Sequence, residues 1–117
     1  MAGYVLYHNP RCSKSRGALE LLQERGIEPA IVRYLDTPPD ADTLRGLVEK
    51  LGIQPRELLR TGEEEYRSLG LADASVDDTA IIAAMAAHPR LIDRPILVRG
   101  DRAVIGRPPE RVLELVN

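Results

Sequence analysis

The most constraining feature of this chain is an apolar strand pattern that runs into a helix pattern and then returns as a strand, all before residue 35. Residues 4–7, Tyr-Val-Leu-Tyr, form a short apolar run suited to a buried strand. Residues 13–25 place Ala18, Leu19 and Leu22 on one helical face, and Gly26 stands where a helix ends. Residues 30–34 are apolar and β-prone again, and Thr37-Pro38-Pro39 ends the segment. Strand, helix and strand within about thirty residues make a βαβ unit, whose two strands run parallel.

Farther along, Asp40 is placed to cap a helix whose Leu44, Leu47, Val48 and Leu51 recur at i, i+3, i+4 and i+7. Gly52 stops it. Pro55 suits the first turn of a short helix ending near Leu59-Arg60, and residues 63–69 read as another, followed by Gly70. Ser75-Val76-Asp77-Asp78 has the spacing of a capping box and opens an Ala-rich helix through Ile81, Ile82 and Met85, ending at His88-Pro89. Residues 96–99 and 103–105 read as strands joined through the hairpin signal Gly100-Asp101. Pro109 then starts a last helix through Val112, Leu113 and Val116.

The order β-α-β, a helical insertion, then β-β-α predicts an α/β fold with a four-stranded mixed sheet and flanking helices, in one domain over residues 1–117. A cysteine after the first strand and Arg94-Pro95 before the third point to a thioredoxin-like arrangement.

Composition narrows the function classes. Phe and Trp are absent and Tyr occurs four times, so the core is aliphatic and there are few platforms for stacking single-stranded bases. A net charge of −2 gives no electrostatic footprint for duplex nucleic acid. No apolar run reaches the ~18–20 residues of a membrane span, and no signal-peptide pattern precedes the first strand. One cysteine cannot close an internal disulfide, so the expected compartment is the cytoplasm.

That cysteine carries the chemistry. Cys12 falls at the strand-to-helix junction, where unpaired amide N–H groups and the helix dipole favour a thiolate over a thiol. His8, Arg11, Lys14 and Arg16 put four basic side chains within four residues of it. The same amides suit an oxyanion. A free cysteine is commonly a small buried hydrophobe, but polar, basic neighbours argue for a reactive one. Arg60, Arg94 and Arg107 lie at element boundaries, and arginine's planar fork matches a tetrahedral oxyanion better than a lysine does. Glu63-Glu64-Glu65 reads as a solvated helix start, and no His/Cys cluster has zinc-ligand spacing.

His8-Asn9-Pro10-Arg11-Cys12-Ser13-Lys14-Ser15-Arg16 closely resembles the active-site loop of the glutaredoxin-coupled arsenate reductases. The resemblance continues in order through Tyr34-Leu35-Asp36-Thr37-Pro38-Pro39, Leu58-Leu59-Arg60, His88-Pro89, Asp93-Arg94-Pro95-Ile96 and Gly106-Arg107-Pro108. It implies that Cys12 attacks arsenate, that Arg60, Arg94 and Arg107 bind the oxyanion, and that His8 and Ser15 favour the thiolate. It also implies a cis-proline at Pro95 and reduction of arsenate to arsenite through an arsenylated Cys12. Glutathione would be the co-substrate and glutaredoxin the partner, with no tightly bound cofactor and no metal.

Two alternatives share the fold. One is a glutathione-dependent thiol reductase with another substrate. The other is an RNA-polymerase-binding regulator resembling the Spx proteins, which typically carry a Cys-x-x-Cys switch. Ser15 stands at the second of those positions here, so that switch cannot close.

Overall fold

The protein is described by a computed structural model covering residues 3–116. Its contacts divide the chain into two compact units, one formed by the residues up to Thr37 together with those from Arg94 onward, the other by Pro38–Asp93.

The first unit holds the strands β1 (Tyr4–Tyr7), β2 (Ala30–Val32), β3 (Ile96–Arg99) and β4 (Arg102–Ile105) and the helix α1 (Ser13–Glu24). Among the described residues these strands form a single sheet in the order β2-β1-β3-β4. β1 pairs parallel with β2, as the βαβ pattern requires, and β3 runs antiparallel to both β1 and β4. This is the α/β, thioredoxin-like four-stranded mixed sheet with flanking helices that the element order predicts.

One row of side chains organises the core of this unit. Leu6 pairs with Leu97, and Leu97 with Val104, so the three stand in line across the sheet. They pack with Ala18 and Leu22 of α1 and with Val112 and Leu115. Burying a leucine of this kind contributes roughly 1.5–3 kcal/mol. Helix α1 ends where Gly26 takes φ 76°, with Gly26 N–H bonded to Gln23 O at 3.0 Å and Ile27 N–H to Leu22 O at 2.9 Å. That pair of bonds is a Schellman motif, and Ile27 packs onto the same core.

The second unit is helical: α2 (Ala41–Leu51), α3 (Glu64–Ser68) and α4 (Asp78–Ala87), with 3₁₀ turns at Pro55–Leu58 and Pro89–Leu91. Asp40 caps α2 as expected, accepting Thr43 N–H at 2.8 Å, and Leu44, Leu47 and Val48 form its buried face. Among the described residues no helix is long and apolar enough to cross a membrane.

Three local expectations differ from the structure. The cap of α4 is Asp77, which accepts Ala80 N–H at 2.9 Å. Ser75 is drawn away because its own N–H and hydroxyl both bond to Asp73 Oδ1, at 2.9 and 2.8 Å. A local Asx turn outcompetes the capping box there. Strand β2 stops at Val32, because Asp36 and Thr37 both donate to Arg33 O and begin a turn. The last helix, Pro109–Leu115, is 3₁₀ and leaves Val116 outside it.

Candidate active site

A tight loop delivers Cys12 to the start of α1. Asn9 Oδ1 accepts Arg11 N–H at 3.0 Å, and Asn9 O accepts Cys12 N–H at 3.0 Å. Cys12 O then accepts Arg16 N–H at 2.9 Å, the first bond of the helix. Cys12 is thus the N-cap residue, with a β-region backbone, a partly exposed side chain and no capping bond from its sulfur. The amides of the first turn that follow it have no carbonyl partner within the helix.

Ser15 ties the end of β1 to α1. It is fully buried, and its Oγ lies 2.6 Å from His8 Nδ1 while accepting Asn9 N–H at 3.0 Å. His8 is buried too, and its backbone N–H reaches Val32 O at 2.9 Å. Burial above all, and then the positive charges of Arg33 and Arg16, hold its pKa below the usual 6.5. Burial and these charges favour the neutral imidazole over the cation, so His8 adds less positive charge near Cys12 than a count of basic neighbours suggests. A ring protonated at Nε2 lets Ser15 donate to Nδ1 while it accepts from Asn9, satisfying the hydroxyl in both roles.

Arg94 and Arg107 come together in the same unit as Cys12. Arg94 precedes β3, and its Nε and one terminal nitrogen are shielded from solvent. Arg107 follows β4 and donates from its guanidinium to Arg94 O at 3.2 Å. Gly106 N–H bonds Pro95 O at 2.8 Å, fixing the two segments side by side. The Arg94–Pro95 peptide is cis, as the resemblance implies, and so is Arg107–Pro108, for which the sequence carries no signal.

Arg60 belongs to the other unit. Its N–H bonds Leu91 O at 2.7 Å, beside a Leu59–Ile92 bridge, so its backbone is pinned. Its guanidinium meets Glu63 Oε2 at 3.2 Å, and Arg90 takes the other oxygen at 3.3 Å. Glu63 is only 16% exposed and works as a bridge between two arginines, which corrects its reading as part of a solvated run. Two guanidinium groups on one carboxylate leave a net positive charge there. Among the described residues no group of three or more His, Cys, Asp or Glu side chains could hold a metal ion.

Known proteins resemble this chain over nearly its whole length. The ArsC family pattern matches residues 7–115. The chain is 55% identical over 113 residues to the uncharacterized Escherichia coli (strain K12) protein YfgD, covering 96% of this chain and 95% of that one. It is 46% identical over 108 residues to an arsenate reductase of Neisseria meningitidis serogroup B, covering 92% of each. The solved arsenate reductase of Vibrio cholerae superposes with a TM-score of 0.96 at 47% identity, over 98% of both chains. The chain belongs to the ArsC family.

Proposed function

We propose that this protein is a cytoplasmic arsenate reductase that draws its electrons from glutathione and glutaredoxin. The observation that carries the reading is Cys12 at the N-cap of α1, partly exposed and uncapped, in a chain 46% identical to an arsenate reductase. Cys12 thiolate attacks arsenic, and one water leaves, giving a Cys12–S–As(V) adduct. Glutathione displaces a second oxygen as water, and arsenic then bears both sulfurs. The glutaredoxin thiol next attacks the glutathione sulfur. A glutaredoxin–glutathione disulfide forms, and the As–S bonding pair stays on arsenic, reducing it to As(III). Hydrolysis returns the Cys12 thiol and releases arsenite, so the two thiols supply the two electrons.

Arg94 and Arg107 hold the oxyanion and spread its charge in the transition state; the resemblance to the arsenate reductases assigns Arg60 the same role. His8 and Ser15 act as a neutral pair that fixes the loop carrying Cys12, rather than as a source of charge. A second sulfur must come from outside, because the sequence has one cysteine.

The test is NADPH oxidation coupled through glutathione reductase, with glutathione and glutaredoxin present and arsenate added last. Arsenate-dependent turnover that stops when either thiol is withheld is expected. Turnover with simple disulfides but not with arsenate would make the protein a thiol reductase of another kind. Turnover supported by thioredoxin and its reductase without glutathione would overturn the external-thiol mechanism.

A further inference from the structure

We propose that the cleft beside the Cys12 loop is the binding site for glutathione itself, a reading that rests on the external-thiol mechanism proposed above. The cleft encloses about 350 Å³, at the small end of the ~300–1,000 Å³ typical of small-ligand sites and suited to a tripeptide. Its lining includes His8, Asn9, Pro10 and Arg11, the segment that leads into Cys12. A thiol held there is delivered to the chain segment that carries the adduct.

The walls match the ligand's functional groups. Glutathione has two carboxylates, one ammonium and a net charge of −1 at neutral pH. The cleft presents Arg11 and Arg33 as cations, Asp36 as an anion and Leu35 as an apolar surface, for a net charge of +1. Leu35 is 39% exposed and so offers that surface to a ligand. Arg33 and Asp36 face each other at 4.0 Å with side chains 62% and 71% exposed. Such a pair contributes little by itself, so exchanging it for a carboxylate on Arg33 and an ammonium on Asp36 costs little. The frame does not have to move, since Asp36 N–H and Thr37 N–H both bond Arg33 O, at 3.0 and 2.9 Å. A simple oxyanion is a poorer match, because it would face the Asp36 carboxylate with no cation of its own to offer. The cleft and all its lining residues lie within one unit of the chain.

Binding is read without chemistry by titrating the wild-type protein with S-methylglutathione, whose sulfur is blocked, and following backbone amide shifts. Shifts centred on residues 9–11 and 33–36 are expected. Arg33→Ala should weaken binding about five- to tenfold, and Arg33→Glu more, as loss of one charge-assisted contact predicts. In turnover the same variants should raise KM for glutathione by that factor. KM for arsenate should move by a clearly smaller factor than KM for glutathione, since Arg33 reaches the arsenate step only through its influence on His8. Shifts elsewhere, an affinity within about twofold of wild type in Arg33→Glu, or displacement by equimolar inorganic phosphate would overturn the assignment. A raised KM for glutaredoxin in place of glutathione would overturn it too, by making the cleft a protein-docking surface. Failure to form arsenylated Cys12 at all would instead remove the proposed function, while the S-methylglutathione titration would still report on the cleft.

Discussion

Replacing Gly106 with alanine tests how tightly the core governs the paired segments that carry Arg94 and Arg107. A Cβ at Gly106 would lie 2.9 Å from Pro95 Cγ and 2.9 Å from Val112 Cγ1, with Ala18 Cβ at 3.6 Å. Carbon atoms pack best at about 3.5–4.0 Å, so two contacts are short by more than half an ångström. Neither neighbour can swing aside. Val112 is fully buried in the core, and Pro95 is a ring whose carbonyl is bonded to Gly106 N–H. Overpacking of this kind costs about 1–3 kcal/mol. For a chain of this length that is a fall in Tm of roughly 4–15 °C, with the urea m-value unchanged.

Because Gly106 adjoins Arg107, relief of the clash must also displace Arg107 from Arg94 O, and KM for arsenate should rise. Gly46→Ala is the matched control. It sits inside α2 with nothing within 4 Å of the position its new methyl group would take, so it should raise stability by about 0.5–1 kcal/mol. Equal and small effects of the two substitutions on urea midpoints would refute the packing argument.

Other outcomes follow from the site. Cys12→Ser should abolish arsenate turnover while leaving the urea midpoint close to wild type, since the hydroxyl replaces a partly exposed thiol that makes no capping bond. Arg94→Ala should lower kcat/KM for arsenate about ten- to a hundredfold, and Arg94→Lys should recover only part of it, because a point charge lacks the bidentate fork. His8 carries a lowered pKa in the fold, so on acidification the unfolded chain binds its proton first. The stability gained by keeping the ring neutral is full above about pH 6.5 and is lost as pH falls from there towards the folded value. Urea midpoints measured across that window should fall more steeply for wild type than for His8→Gln, and parallel slopes would exclude His8 as the cause.

The fold is legible in the sequence wherever a local pattern and the tertiary packing ask for the same thing. Tyr4–Tyr7, the Gly26 terminus and the Asp40 cap all appear where residue type alone puts them. Ser75 misleads because its spacing to Asp78 satisfies a capping box, while Asp73, two residues upstream, offers the serine a nearer acceptor. Local competition of that sort depends on which turn the backbone takes first, and spacing does not encode it. The end of β2 is similar: residues 33 and 34 read as part of the strand, but the Arg33 carbonyl is taken by a turn.

The site shows a different limit, concerning charge rather than position. Counting basic residues around Cys12 weighs each alike, whereas burial, Arg33 and then Arg16, one of the residues counted with it, all bias His8 towards its neutral form. Counting the acidic run treats Glu63 as solvated, whereas it divides its two oxygens between Arg60 and Arg90. In both places the side chain's protonation or pairing depends on partners far away in sequence, such as Arg33 for His8 and Arg90 for Glu63. With His8 biased towards its neutral form, positive potential near the cysteine comes from the amides at the helix start and from Arg11, Lys14 and Arg16. A neutral histidine bonded to a buried serine can then hold the loop's shape without adding a charge that would vary with pH.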